Sequence, residues 1–226
     1  MTEPQQPPDE VALAIARQWQ RSAALDLEVL ERLYEVNWIY LNLLASQASC
    51  EAANVDRSLA HNSTCVQLTD LDTAARGVLA RCPFSLFNAR FHDGHFWADH
   101  ARVTALHEAA LRFSNDHPGS SDAAAFADLA LFYAWHLVQS NPLAARILLG
   151  MAEQTLTVFK QLPLARIQQL ASEHPHLVTP RWSQRTPFWR GLLYVAQAGA
   201  VERIADMRLL GIQMIASELA KNGVST

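Results

Sequence analysis

The chain has 226 residues, of which 50% are hydrophobic and 18% are charged, and this composition excludes a disordered chain. The formal net charge of −4 excludes a uniformly basic nucleic-acid binder. The charge is uneven, because residues 160–226 carry +4 and residues 1–159 carry −8, which is typical either of an end that faces an anion or of scattered solvated charge. Only 8 glycines and 10 prolines interrupt the chain, so we predict an all-α, multi-helical fold.

The location of the protein is predicted from what its sequence lacks. No apolar run reaches the roughly 18 residues that span a bilayer, and the first ten residues have neither the basic nor the apolar region of a secretory signal. Cys50, Cys65 and Cys82 are an odd number of cysteines at wide spacings, which suits a reducing compartment. We therefore expect a cytoplasmic protein that does not contact the membrane.

The first half of the chain is predicted to begin with a tail and a leading helix over residues 1–24. A helix over about 25–48 follows, and its apolar stripe is wide enough for burial on more than one side. Thr69 and Asp72 fit a capping box at the start of a helix over about 70–81.

Pro83 should end that helix, and residues 84–91 are predicted to be extended or turn-like. A helix is expected over 97–113, and the loop 116–121 is the best candidate for a boundary between two halves.

The second half is predicted to be helical almost throughout. A helix over 122–140 is followed by Asn141 and Pro142. These two residues predict the N-cap and the first position of a further helix, which continues to about Gly150. The proline-rich stretch 174–180 cannot be a regular helix. Further helices are predicted at about 152–161, 163–172, 187–198 and 200–221, with a break near Gly199 between the last two.

Short sequences recur along the chain at nearly constant offsets of 94, 91, 91 and 92 residues. The pairs are Gln67-Leu68 with Gln161-Leu162, Leu79-Ala80 with Leu170-Ala171, Arg90-Phe91 with Arg181-Trp182, and Phe96-Trp97 with Phe188-Trp189. We interpret them as two copies of one helical unit, over 25–115 and 122–221, that form one pseudo-symmetric body. The alternative is that Leu/Ala pairs recur by chance in helical sequence.

Several of these segments resemble the flagellar transcriptional regulator FlhD family. Residues 33–45, which read LYEVNWIYLNLLA, are similar to the opening helix of that family, and residues 144–151 and 162–171 are similar to its second and third helices. Arg181-Trp182 stands where the family has Arg-Phe. The last helix resembles the terminal, dimerisation-type helix of the family in its apolar residues Ile204, Met207, Leu210, Ile212 and Ile215.

The resemblance implies a helical protein that regulates transcription together with a partner subunit. In the family the DNA contacts come largely from that partner, an FlhC-like chain that binds zinc through cysteines. This chain departs from the family in being doubled, so it would replace a homodimer with an internal pseudo-dimer or dimerise further. We therefore expect an FlhC-like or other regulatory subunit as partner, DNA contact through that partner, and a possible homo-oligomer.

The residues predicted to contact DNA or the partner lie near the start of the penultimate helix. Arginine contacts phosphate and tryptophan stacks on bases or anchors an interface. The alternatives are that the tryptophans are core residues beside solvated arginines, or that the arginines grip an acidic partner. The candidates are Arg181, Trp182, Arg185, Trp189 and Arg190.

Patterns typical of an enzyme are weak in this sequence. His92, His95, His100 and His107 lie close together, but their spacings match no standard metal motif, and the cysteines include no Cys-x-x-Cys pair. There is no glycine-rich phosphate loop and no Gly-x-Ser-x-Gly sequence. We therefore predict a non-enzymatic FlhD-like regulator without cofactor or metal. The alternatives are a scaffold or adaptor of a secretion or flagellar machine, and a small metal-dependent hydrolase around residues 92–107.

Overall fold

The computed structural model describes residues 26–53, 71–102 and 122–223, and it is mostly helical, as the composition predicts. The elements are α1 (Leu27–Ala53), α2 (Thr73–Ala80), β1 (Phe87–Asn88), α3 (Gly94–Arg102), α4 (Asp122–Ser140), α5 (Pro142–Leu149), α6 (Glu153–Gln161), α7 (Leu164–Glu173), β2 (Thr179–Pro180), α8 (Thr186–Gln197) and α9 (Val201–Gly223). The leading helix in residues 1–24, the end of the predicted 97–113 helix and the loop 116–121 lie outside the described residues.

Helix α1 carries a buried amide that organises the first half of the chain. Asn37 is fully buried, and its Nδ2 donates to the carbonyls of Ala80 at 3.2 Å and Phe84 at 3.0 Å. Its Oδ1 accepts from the backbone N–H of Leu86 at 2.9 Å. A buried amide needs such partners, and here they join α1 to the end of α2 and to the turn that leads into β1.

The predicted start of α2 is wrong by one turn. Asp72, not Thr69, precedes the helix, because the Asp72 carboxylate accepts from the backbone N–H of Ala75 at 2.7 Å. Asp72 therefore satisfies a free N–H of the first turn, and α2 begins at Thr73 rather than near residue 70. The helix ends at Ala80, before Pro83, as predicted.

The predicted junction between α4 and α5 is confirmed. Helix α4 has the predicted bounds, and the Asn141 side chain accepts from the backbone N–H of Ala144 at 3.0 Å, with Pro142 in the first turn. Helix α5 ends at Leu149 and is followed by Gly150, whose φ of 64° is left-handed. Glycine is favoured there because it carries no Cβ.

The two halves of the chain form one continuous core rather than two separate ones. Helix α1 packs on α4 and on α2, while α2 also packs on α8 and α3 packs on α6. The Nη2 of Arg166, on α7, donates to the carbonyl of His100, on α3, at 3.0 Å. Each half therefore supplies helices that pack against the other half. Among the described helices, none combines the length and apolar character needed to cross a membrane.

Candidate interaction surface

Arg181 lies in the core and not on the surface. Its side chain is only 4% exposed, and Nη1 donates to Ser85 Oγ at 3.1 Å and to the carbonyl of Leu148 at 3.3 Å. Its Nη2 pairs with a carboxylate oxygen of Glu218 at 3.2 Å. Burial lowers the pKa of this guanidinium, and Glu218 opposes the shift. Arg181 therefore joins the β1 turn, the end of α5 and helix α9.

Trp182 follows in a tight turn that is held by its aromatic neighbours. Its φ of 54° is left-handed, which is costly for a residue with a side chain. The indole packs edge-on against Phe84 at 5.5 Å and Phe188 at 5.0 Å between ring centroids, and its Nε1–H donates to Glu218. The backbone N–H of Arg185 closes the turn on the Trp182 carbonyl at 2.7 Å. Only part of this ring remains open to a partner.

Trp189 is a core residue as well. It is 1% exposed, and its Nε1–H donates to the Arg181 carbonyl at 2.7 Å. The structure thus leaves Arg185 and Arg190 as the exposed members of the predicted set, at the start and on the outer face of α8. Their contact with DNA or a partner stays a prediction, whereas Arg181 and Trp189 act within the fold.

An open cleft of about 330 Å³ lies between this turn, the strand pair and the last turns of α9. Arg185 and Lys221 give it positive charge, while Glu218 is held by Arg181. Asn88, His92 and Thr179 also line it. The mixed lining supplies hydrogen-bond donors and acceptors at its rim without forming a cluster of one charge.

Apolar residues are exposed along α8 and α9. Tyr194 is 63% exposed and Val201 is 79% exposed, and Leu209, Leu210 and Ile212 remain 41–54% exposed on α9. A few scattered apolar residues are normal on a protein surface, but a row along one helix is typical of an interface.

The turns before α3 and α8 have matching geometry. The residue pairs Phe87 and Thr179, Arg90 and Trp182, and Gly94 and Thr186 are each 92 positions apart. Strand β1 pairs antiparallel with β2, and Phe87 lies opposite Pro180 while Asn88 lies opposite Thr179. At this offset Thr179 is the counterpart of Phe87, and Pro180 is the counterpart of Asn88. Phe87 therefore pairs with the counterpart of Asn88, and Asn88 pairs with the counterpart of Phe87. A two-fold axis between the two strands would give this pairing.

Backbone and side-chain details repeat in these two turns. Arg90 has a φ of 55° and Trp182 a φ of 54°, and they are the residues other than glycine with positive φ in the described ranges. Trp97 Nε1–H donates to the carbonyl of Arg90, the left-handed residue itself, at 3.1 Å, whereas Trp189 Nε1–H donates to the carbonyl of Arg181, the residue before the left-handed Trp182, at 2.7 Å. A tryptophan from the following helix therefore closes each turn.

Four of the groups considered for catalysis lie in the described part of the chain: His92, His95, His100 and Cys82. His92 and His95 are exposed, and His100 Nδ1 lies 2.8 Å from the carbonyl of Phe96 on its own helix. Within the described ranges, no three histidine, cysteine or acidic side chains lie together as a metal requires. Burial raises the pKa of Cys82 to about 12, so this thiol stays protonated. His107, Cys65 and the side chain of Cys50 lie outside the described residues.

No protein-family model, curated protein or solved structure matches this chain. The resemblance to the FlhD family thus depends on the sequence segments alone.

Sequence reasoning missed Ser85 and Glu218, the partners that keep Arg181 buried. They are distant from Arg181 in the chain, so no local spacing could indicate them. The row of exposed apolar residues on α9 was readable, because Ala205, Leu209, Ile212 and Ala216 follow spacings of 4, 3 and 4.

Proposed function

We propose that this chain is a non-enzymatic, FlhD-like regulatory protein that acts on transcription through a DNA-binding partner subunit. Its C-terminal helices and the exposed Arg185 and Arg190 would face DNA or that partner. The proposal draws on the resemblance of residues 33–45, 144–151 and 162–171 to the family. It also draws on the exposed apolar residues of α8 and α9, which favour a protein partner.

The observation that carries the proposal is the repeated turn. The strand pair, the left-handed residue and the tryptophan bond recur at a spacing of 92 residues or close to it. This supports two tandem FlhD-like units related by a pseudo-two-fold axis, in which one chain takes the place of a homodimer. The units would interlock, since α2 of the first packs on α8 of the second.

An adaptor of a secretion or flagellar machine is the second candidate. The described surface shows exposed apolar residues on α8 and α9 but no dense cluster of arginines. An adaptor would need only the apolar surface. The two functions differ in whether a DNA-binding subunit is bound.

Affinity capture of the tagged full chain from its native cells, with and without nuclease, separates the candidates. We expect a DNA-binding subunit that stays bound after nuclease treatment, because the contact is between proteins. The double variant Arg185→Ala/Arg190→Ala tests the exposed arginines, and Lys160→Ala, an exposed cation on α6, is the matched control. Recovery of export-machinery components alone, or loss of all DNA-binding proteins with nuclease, would overturn the proposal and favour the adaptor.

A further inference from the structure

Helix α1 carries a second apolar row beside its fully buried side. Leu30, Tyr34 and Trp38 are half-buried and follow one another at a spacing of four residues. Leu27 and Ile39, near the two ends of this row, are 66% and 44% exposed. Helix α1 therefore has more apolar surface than the described part of the chain covers.

The row borders an open groove between α1 and α2. Tyr34, Trp38 and Ile39 form one side of the groove, and Ala80 and Arg81 of α2 form the other, around a volume of about 470 Å³. No side chain of the described residues fills this space. An apolar groove beside exposed apolar side chains is typical of a docking site.

The chain that precedes α1 has a sequence suited to this surface. Residues 9–24, which lie outside the described residues, contain no glycine or proline and have alanine at five positions, a composition that favours a helix. Val11, Ile15 and Trp19 follow one another at a spacing of four residues, which is also the spacing of the row on α1. Side chains at this spacing form a ridge along a helix, so the two rows would be ridges of the same pitch.

Asp26 marks a turn between this segment and α1. It is not helical, and its carbonyl accepts from the backbone N–H of Leu30 at 3.2 Å, as a residue at the N-cap position does. Helix α1 therefore begins at Leu27 rather than continuing from the residues before it. Residues 23–26 are as long as the connections of two to five residues that join antiparallel helices.

An antiparallel return across this turn would bring the two apolar rows into register. The two members of each facing pair would lie equally far along the chain from the bond between residues 24 and 25. The pairs are Val11 with Trp38, Ile15 with Tyr34, and Trp19 with Leu30.

We propose that residues 9–24 fold back on α1 as an antiparallel helix and cover the groove between α1 and α2. A tethered segment has an effective concentration on the order of millimolar, so it would occupy the groove ahead of a separate chain. The segment precedes residues 33–45, where the resemblance to the FlhD family begins, so this inference does not depend on the proposed function.

Cross-linking of engineered cysteines in the full chain tests the proposal. In chains that carry Cys50→Ser and Cys65→Ser, a short bis-maleimide reagent should link Ala16→Cys to Glu35→Cys within one chain. These two positions directly follow a facing pair, and they would lie on the same edge of the antiparallel helices. Cys82 is buried and does not compete.

Arg32→Cys is the matched control for Glu35→Cys. Arg32 is also exposed, but it lies about 160° around α1 from Tyr34, so its link to residue 16 should form at least about tenfold more slowly. If the segment instead continued α1 as one helix, residues 16 and 35 would be about 28 Å apart, beyond the reach of the reagent.

A second pair of variants tests the apolar contact itself. Ile15→Glu should slow the link between residues 16 and 35 by more than about tenfold, because docking would bury a carboxylate among apolar side chains. Leu13→Glu is its matched control, since Leu13 would lie about 160° around the same helix, and it should change the rate by less than about twofold.

Gel mobility and mass spectrometry separate links within one chain from links between chains, and circular dichroism checks that the variants keep their helix content. Absence of a link between residues 16 and 35, equal rates for residues 32 and 35, or links only between separate chains would each overturn the proposal. Equal slowing by the two glutamate variants would do the same.

Discussion

Arg181 shows how one residue can look functional in sequence and be structural in the fold. Arginine is rarely buried, and its place beside Trp182 and near two further arginines indicated a surface contact. The structure encloses it because Ser85, Leu148 and Glu218 supply acceptors from three separate parts of the chain. A buried guanidinium is tolerated only with such partners. No local pattern could predict this arrangement.

We expect Arg181→Ala to lower the free energy of unfolding by about 2–4 kcal/mol, since it removes a buried charged network and leaves a void. Urea denaturation with an unchanged m-value would measure the loss. Arg190→Ala, at an exposed position on α8, should change stability by less than about 0.5 kcal/mol. Equal effects of the two substitutions would show that Arg181 is not the buried anchor described above.

Asp93 makes the start of α3 sensitive to acid. Its carboxylate accepts from the backbone N–H of Phe96 at 3.0 Å and pairs with Arg90 at 2.5 Å, and these contacts lower the pKa of Asp93 below its ordinary value of 3.8. A pKa that is lower in the folded state contributes stability above the unfolded value. That contribution is lost as the pH falls through the lowered pKa.

Asp93→Ala should therefore cost about 1 kcal/mol at neutral pH, as the loss of a helix cap does. The difference from wild type should shrink as the pH falls below 3.8. Urea denaturation at several pH values measures it, with Asp99→Ala on the exposed side of the same helix as control. A cost that is independent of pH would contradict the role of the carboxylate charge.

At the scale of elements, sequence signals succeeded where the deciding contacts are local. Asn141 and Pro142 marked the start of α5 correctly, because an N-cap bonds to residues two or three positions away. The sequence signals failed at the start of α2, because the N-cap is Asp72, one turn later than the Thr69 that the capping-box pattern predicted. The prediction that the stretch 174–180 is not a regular helix is confirmed, and this stretch contributes β2, whose partner strand lies in the other half of the chain.

Gly150, at the end of α5, gives a prediction at the scale of elements. At Gly150 the φ of 64° is left-handed, and an added Cβ would lie 1.9 Å from Arg181 Nη2. Gly150→Ala should therefore lower the free energy of unfolding by at least about 1–2 kcal/mol. Gly77→Ala in α2 is the matched control, because nothing lies within 4 Å of its Cβ position. This second substitution should stabilise by about 0.5–1 kcal/mol.

Thermal or urea unfolding of both glycine variants provides the measurement. The two substitutions add the same methyl group. Changes of opposite sign in the free energy of unfolding would therefore isolate backbone conformation and the approach of Arg181 as the cause. Stabilisation by Gly150→Ala would show that the end of α5 relaxes and that Arg181 is not held there.

At the scale of the whole molecule, composition predicted the helical class, which the structure confirms, while the tandem repeat stays a prediction. The sequence could not show that the halves interlock, because residues such as Phe87 and Pro180 are distant in the chain and meet only in the folded protein. It also could not separate buried arginines from exposed ones. The candidate surface is consequently smaller than predicted, with Arg185, Arg190 and part of Trp182 still open to a partner.

The most direct test of the central claim is the salt dependence of DNA binding by the complex of this chain with its captured subunit. We predict that the logarithm of the affinity for duplex DNA falls linearly with the logarithm of salt concentration, because bound cations are released from phosphates. If Arg185 and Arg190 touch DNA, their double alanine variant should reduce the slope by up to about 2, and Lys160→Ala should leave it unchanged. A complex that fails to bind DNA at low salt, or whose affinity does not change with salt, would contradict the account.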